Sequence, residues 1–444
     1  MLKKIALYFV IVLLLAISLA YFLLPVFGIT LPICMPTIRF DCDKKSQAAQ
    51  SSAVSSAVPD ERPATSDTSD SMGSHPADAL LETMTLEEKV GQLFFVRCPE
   101  EDALGETLSL RPAGFILFSK DFEGQTKDSV RDTIASYQQG SEIPMLIGVD
   151  EEGGTVVRVS KYEAFRRWPF QSPQELFDEN GMEAFVYDTA EKDDLLSDLG
   201  INVNLAPVCD VSTDEDDFMY DRTLGQDAEA TAEYVRTTVS QMKKDEMGSV
   251  LKHFPGYGPN GDTHEQTVID MRDLETYRTE DFLPFEAGIE AGADAVLVSH
   301  LIISCMDENL PASLSPAVHD VLREELGFEG VILTDDLAMD AIAASSYNED
   351  VAVLAIQAGN DLIISSDFPT QYQAVLDAVY NGTLTESEID EHVRRVLDWK
   401  HSLGLITYED DATPAFEDTE QLSPDDQDMA TDDTSSDTDW EDAA

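Results

Sequence analysis

The sequence predicts one (β/α)8 TIM-type barrel, a single catalytic domain over residues 79–407. Eight short apolar runs recur along that span, of the length and continuity expected for strands buried on both faces of a parallel sheet. Segments with helical periodicity fill the gaps, so that strand and helix alternate. Charged side chains gather where the runs end, the edge at which barrels of this class carry their chemistry. A doubly wound open sheet is the alternative arrangement of the same alternation.

In order, the runs are LFFV (93–96), AGFILF (113–118), MLIGVD (145–150), VNLAPV (203–208), SVLKHF (249–254), DAVLVSH (294–300), GVILTD (330–335) and DLIISS (361–366). AEATAEYVRTTVSQMKKDEM and EIDEHVRRVLDWKHSLG are two of the helical patterns between and after them. No internal repeat is evident.

The flanks differ in kind. Residues 1–42 are an N-terminal membrane segment: an apolar stretch from Ile5 to about Ile33 follows Lys3 and Lys4. About 20 apolar residues cross a bilayer, and the lysines stay cytoplasmic, which places the remainder outside. The stretch exceeds the apolar region of a usual cleaved signal peptide, so an uncleaved single-pass transmembrane helix is the expectation, with secretion after cleavage as the rival. Residues 43–78, rich in Ser, Ala, Asp and Pro, read as a flexible linker. Residues 408–444 carry fifteen Asp or Glu and no Lys or Arg, and read as a disordered acidic tail.

The formal charge of the chain is −59. The first segment carries +2, the linker −3 and the tail −15, which leaves −43 on residues 79–407. A surface so acidic excludes nucleic acid as a partner. The five cysteines form no CxxC pair or zinc-like cluster. Cys34 and Cys42 are close enough to pair if exported, whereas Cys98, Cys209 and Cys305 are expected as buried small residues.

The strand ends supply Asp150, Lys252 with His253, His300 and Asp335. After the fifth run comes KHFPGYGPNGDTH, Lys252 to His264, whose glycines and prolines prescribe a shaped loop over Phe254 to Gly261 leading to Asp262 and His264. Three of the seven histidines thus fall at this one edge, while His75 lies in the linker and His319, His392 and His401 on helical patterns.

A carboxylate nucleophile with a positioned acid/base describes retaining glycoside hydrolysis. Histidine in the second role is a departure from the usual carboxyl pair, but it donates and accepts protons near neutrality. An aspartate two residues away can fix its tautomer. Each residue also has a plain structural reading: Asp335 or Asp336 as a helix cap, His300 as a core histidine, Lys252 as an ion-pair partner, Arg222 as a loop anchor, and Asp262-Thr263-His264 as a simple turn. Two other chemistries stay open at this point. One is a metal-dependent hydrolase using His253, His264, His300 and Asp335, although no HxH or HExxH occurs. The other is a Schiff-base aldolase using Lys252.

Several blocks then carry a resemblance. LEEKVGQLFFV, AGFILF, IGVDEEGGTVVRV, NLAPVCDV, DRTLGQDAE, KHFPGYGPNGDTH and GVILTDDLAMDAI resemble, in order, the blocks of glycoside hydrolase family 3. The subgroup they resemble is the single-domain β-N-acetylglucosaminidase of the peptidoglycan-recycling type. That resemblance implies Asp335 as nucleophile, His264 as acid/base on a mobile loop with Asp262 as its partner, and Asp150, Arg158, Arg222, Lys252 and His253 as sugar-binding groups. It implies a carbohydrate substrate, β-linked N-acetylglucosamine in peptidoglycan fragments, and no metal or other cofactor. A β-glucosidase, a phosphorylase on the same scaffold and a non-catalytic sugar-binding protein are the alternatives. The chain departs from the family pattern at Tyr257, where His or Leu is common, in a three-residue spacer before Asp262, and at Thr155 in place of an arginine.

Overall fold

A computed structural model of the 444-residue protein describes residues 75–263, 267–339 and 351–408. Eight parallel strands are Phe94–Arg97 (β1), Gly114–Leu117 (β2), Leu146–Val149 (β3), Val203–Asn204 (β4), Gly248–Phe254 (β5), Ala295–Val298 (β7), Val331–Thr334 (β9) and Ile363–Ser365 (β10). Their order is β10-β1-β2-β3-β4-β5-β7-β9, every pairing parallel. The sheet curls round on itself: a parallel bridge joins Leu333 to Leu362, and Thr334 N donates to Leu362 O at 3.1 Å. Each of the eight apolar runs coincides with one of these strands. The near-closed barrel corrects the open-sheet alternative.

Side chains alternate along a strand, and here the alternation separates two cores. Phe95, Leu146, Val203, Leu205, Val250, Leu297, Val331, Leu333, Leu362 and Ile364 pack inside the barrel. Gly148 belongs to the inward set, and a Cβ there would collide with the Phe95 ring, so the missing side chain is what lets Phe95 fill the interior. The residues between them, such as Phe94, Phe115, Ile147, Val296 and Ile332, face the surrounding helices. Val396 and Trp399, from the helix Glu386–Ser402, join the interior cluster and seal its lower end.

That helix starts in a capping box in which Thr385 and Glu388 satisfy each other's backbone donors. It is anchored by the fully buried Asp361, whose Oδ1 accepts from His392 Nδ1 at 2.9 Å and Arg395 Nη1 at 2.8 Å. Asp361 Oδ2 accepts from Arg323 Nη2 at 2.6 Å and Ile332 N at 2.8 Å. The carboxylate thus clamps two helical segments to the start of β9.

Two features differ from expectation. Ile269–Asp270 (β6) and Ile302–Ile303 (β8) form a separate two-stranded parallel sheet that no sequence pattern announced. Cys305 is exposed and not buried, because it sits in the turn after β8, while Cys98 and Cys209 are buried as expected. Among the described residues the first helix spans Asp78–Leu81. The apolar N-terminal stretch, Cys34, Cys42 and the acidic tail from residue 409 lie outside the described residues. Among the described residues no helix is long and apolar enough to cross a membrane.

Candidate active site

A cavity of about 350 Å³ opens at the C-terminal ends of the strands. Its lining includes Asp150, Arg158, Arg222, Lys252, His253 and Asp335, six of the eight site residues expected from sequence. The period of two explains most of them. Gly148, Val250 and Leu333 point inward, so Asp150, Lys252 and Asp335, two residues further on, point inward one layer higher. The same rule carries Arg97 up from Phe95, where its guanidinium lies 4.3 Å from the Phe118 ring centroid.

His253 is the exception, since it faces the cavity together with its neighbour Lys252. The β5–β7 register shifts between Lys252 and Phe254, and the extra residue lets two consecutive side chains share one face. Gly256, with φ of 118°, then turns the chain where a Cβ would strike the Asp281 carboxylate.

The charged groups form one connected chain. Lys252 Nζ lies 2.7 Å from Asp150 Oδ1 and 2.6 Å from Glu152 Oε1. Arg222 donates to Glu152 through Nη2 at 2.7 Å and Nε at 3.0 Å, and Arg158 Nη2 lies 3.5 Å from Asp150 Oδ2. Burial pushes the Glu152 carboxyl up, but the charges of Arg222 and Lys252 outweigh it and hold the group well below the usual carboxylate range. Burial also disfavours the Arg222 charge, and Glu152 more than restores it.

The ring of His253 has its tautomer fixed by its neighbours. Arg222 Nη2 lies 3.3 Å from His253 Nε2 and can only donate, so Nε2 accepts. Nδ1 therefore carries the proton and donates to Asp210 Oδ2 at 2.8 Å. Asp210 also accepts from the backbone N–H groups of His253 at 3.2 Å and Tyr257 at 2.8 Å, which pins the start of the loop to the segment that follows β4.

Asp335 N donates to Val298 O at 3.1 Å, and Asp336 N donates to Asp335 Oδ1 at 2.8 Å, which fixes one carboxylate oxygen. His300 is fully buried and outside the cavity lining: Nδ1 meets Ser313 Oγ at 2.7 Å and Nε2 meets Asp336 O at 3.0 Å. It supports the Asp335–Asp336 backbone, an arrangement that does not suit a metal ligand facing the cavity. Asp336 Oδ1 accepts from Ala338 N at 3.0 Å and from Ser366 N at 3.3 Å, which shapes the turn after β9 and ties it to the end of β10. Asp262 lies half-buried at the end of the shaped loop, outside the cavity lining. His264 lies outside the described residues.

Sequence reasoning missed Glu151, Glu152 and Asp210. Glu151 is fully buried, and its carboxylate accepts from the backbone N–H groups of Arg158 and Val159, both at 2.8 Å, and of Ser160 at 3.2 Å. It thereby sets the loop that brings Arg158 over Asp150. The doubled glutamate after Asp150 was the available signal, because adjacent buried carboxylates require partners.

Residues 85–399 match the family model described as the glycosyl hydrolase family 3 N terminal domain. A beta-hexosaminidase of Stenotrophomonas maltophilia (strain K279a) is 31% identical over 312 residues, covering 69% of this chain and 91% of that protein. Among solved structures, a glycoside hydrolase family 3 beta-N-acetylglucosaminidase from Paenibacillus sp. str. FPU-7 superposes with a TM-score of 0.69 at 29% identity. That match covers 77% of this chain and 66% of the other. The beta-N-acetylhexosaminidase from Beutenbergia cavernae gives 0.63 at 28% identity, covering 72% of this chain and 99% of that one.

Proposed function

Because the chain belongs to glycosyl hydrolase family 3 and is a glycosidase, we propose that it removes non-reducing terminal β-linked N-acetylglucosamine with retention at the anomeric carbon. The observation that carries this reading is the cavity in which Asp335 shares one wall system with Asp150, Arg158, Arg222, Lys252 and His253. Its volume lies at the small end of the range of about 300–1,000 Å³ for small-molecule sites, which suits one sugar ring. Cations and carboxylates already paired to each other are held for charged hydrogen bonds to sugar hydroxyls. The names of the relatives supply the N-acetyl-hexosamine.

In the proposed reaction an Asp335 carboxylate oxygen attacks the anomeric carbon as the glycosidic C–O bond breaks. His264, in its protonated form and partnered by Asp262, gives its proton to the departing oxygen. Neutral His264 then takes a proton from water, whose oxygen attacks the same carbon and releases Asp335. Peptidoglycan fragments are the substrate we propose. The apolar run that follows Lys3 and Lys4 supports membrane anchoring with the catalytic domain outside the cell.

The test is release of nitrophenol from the β-N-acetylglucosaminide and the β-glucoside by the full-length protein, followed by product analysis on muropeptides with and without phosphate. No release from either glycoside at neutral pH refutes the activity. Preference for the glucoside refutes the sugar assignment, and a sugar phosphate as main product replaces hydrolysis by phosphorolysis.

A further inference from the structure

Among the described residues, four Lys and Arg side chains line the cavity, and Arg97 stands apart from the other three. Lys252 and Arg222 are bound to Glu152, and Arg158 lies beside Asp150. Arg97, exposed at the end of β1, forms no hydrogen bond or ion pair with any described residue. Its guanidinium is held instead against the Phe118 ring, 4.3 Å from the centroid. Two carboxylates lie within electrostatic reach of it, Glu100 and Asp121, and both are engaged elsewhere. Glu100 Oε1 accepts from Lys120 Nζ at 2.6 Å, and Asp121 Oδ2 accepts from Phe118 N at 2.7 Å. The whole chain has 87 Asp and Glu for 28 Lys and Arg, so an arginine without a carboxylate partner runs against the composition.

Arg158 extends the same wall. Its guanidinium lies 5.8 Å from the same Phe118 centroid, so one ring carries both cations. Arg158 Nε is buried with no hydrogen-bond partner among the described residues. The Asp150 carboxylate that Arg158 approaches at 3.5 Å is shared with Lys252, which lies closer, at 2.7 Å. Positive charge is therefore less compensated on the Phe118 side of the cavity than on the Glu152 side. Ile116 and Phe118 make that side apolar, which strengthens any charge pair formed against it.

N-acetylglucosamine itself is neutral and leaves this charge unused. A planar guanidinium with unengaged donors matches the two oxygens of a carboxylate. We propose that Arg97, backed by Arg158, binds a carboxylate carried on the substrate, so that the site selects N-acetylglucosamine attached to an acidic sugar or substituent. This deepens the β-N-acetylglucosaminidase reading and rests on it. Inorganic phosphate offers similar chemistry from another source. The acidic surface repels a free anion on approach, whereas a carboxylate on a bound sugar is delivered by the sugar's own contacts.

The experiment measures kcat/KM of the full-length protein and its Arg97→Gln and Arg97→Lys variants on three disaccharides. In each, N-acetylglucosamine is β-linked to a second sugar: N-acetylglucosamine, N-acetylmuramic acid with its free carboxylate, or the methyl ester of that acid. The ester keeps the bulk of the acid without its charge. Wild type should favour the acid over the ester about tenfold, the worth of one charged hydrogen bond. Arg97→Gln should bring this ratio close to one, and Arg97→Lys should keep part of it, since the charge stays and the fork is lost. Both rates of a ratio come from the same preparation, so a partly misfolded variant does not distort it. A wild-type ratio near one, or a ratio that Arg97→Gln leaves intact, overturns the proposal. Added inorganic phosphate should change neither products nor ratio. If phosphate instead yields a sugar phosphate with wild type and not with Arg97→Gln, the arginine serves the free anion and the substrate carboxylate is refuted. No release from any disaccharide or from the nitrophenyl glycoside removes the activity and this inference with it. Release from all three at equal rates removes this inference alone.

Discussion

Replacing Glu152 by glutamine asks whether one buried carboxylate holds the cations of the site in place. Three contacts converge on it, from Lys252 Nζ at 2.6 Å, Arg222 Nη2 at 2.7 Å and Arg222 Nε at 3.0 Å. Removing one partner of a buried ion pair costs about 3–5 kcal/mol. A glutamine oxygen keeps one acceptor, so a loss of about 2–4 kcal/mol in unfolding free energy is expected at pH 7. The pH dependence identifies the cause. Burial alone would raise the Glu152 carboxyl, yet Arg222 and Lys252 hold it below its reference value of 4.5. A depressed carboxyl contributes its full stability above the unfolded value and loses it as the pH falls, because the unfolded chain takes up the proton first. Below about pH 4.5 the wild type should therefore lose about 1.4 kcal/mol per pH unit from this group. Glutamine does not titrate, so the gap between the two proteins should narrow at the same rate. Urea titrations at pH 7, 5, 4 and 3.5 measure the gap. In parallel, kcat/KM at pH 7 should fall about 100-fold, because Arg222 loses the bidentate partner that aims it. A gap independent of pH, or wild-type stability with wild-type kcat/KM, refutes the reasoning.

Other outcomes follow from the same geometry. Asp335→Asn should lower kcat by roughly 10⁴-fold or more while calorimetry shows N-acetylglucosamine still binding, and equal loss of binding contradicts a nucleophile's role. Asp193 is buried with both carboxylate oxygens unpartnered among the described residues, and burial, then the charge of Asp245, pushes its pKa up to about 8. Its penalty is absent below the unfolded value and grows as the pH rises towards the folded one. Asp193→Asn should therefore stabilise the protein by about 1–3 kcal/mol at pH 8 and by nothing at pH 4, and an equal effect at both pH values sinks the idea. Asp361→Asn leaves His392, Arg323 and Arg395 sharing one neutral oxygen, and should lower unfolding free energy by about 3 kcal/mol in denaturant titrations.

How much of this was legible in the sequence depended on the range of the cause. Strands are local, and their period of two carries inward direction along the chain, so Val250 and Leu333 already pointed to Lys252 and Asp335. Closure was legible only through the count of eight alternating units, because alternation itself is the same for open and closed sheets; the Phe94–Ile363 pairing that joins the two ends of the domain bears it out. His253 escaped the rule, since a register shift leaves no mark on hydrophobic periodicity. The roles of Glu151 and Glu152 were hidden for another reason: their partners arrive on loops, with Arg222 seventy residues away from Glu152. The β6–β8 ladder is two residues per strand, too short for any pattern. Cys305 shows the limit of residue-type averages, since cysteine is usually buried but a turn after a short strand exposes it.

The β1–β10 pairing has a consequence for biosynthesis. β1 emerges early from the ribosome, but one of its two edges stays open until Ile363 to Ser365 have been made. Lys89 and Asp78 wait longer still, for Glu386, Asp390 and Arg394 on the helix Glu386–Ser402. Asp150 and Lys252 can meet on the growing sheet, whereas Asp335 follows on β9, and the turn after it is tied through Asp336 to Ser366 only when β10 docks. Until then the nascent chain presents unpaired strand edges, the condition in which association with other chains competes with folding. Barrel closure and the onset of catalysis thus coincide, and a chain stopped before β10 should accumulate as an inactive, aggregation-prone sheet.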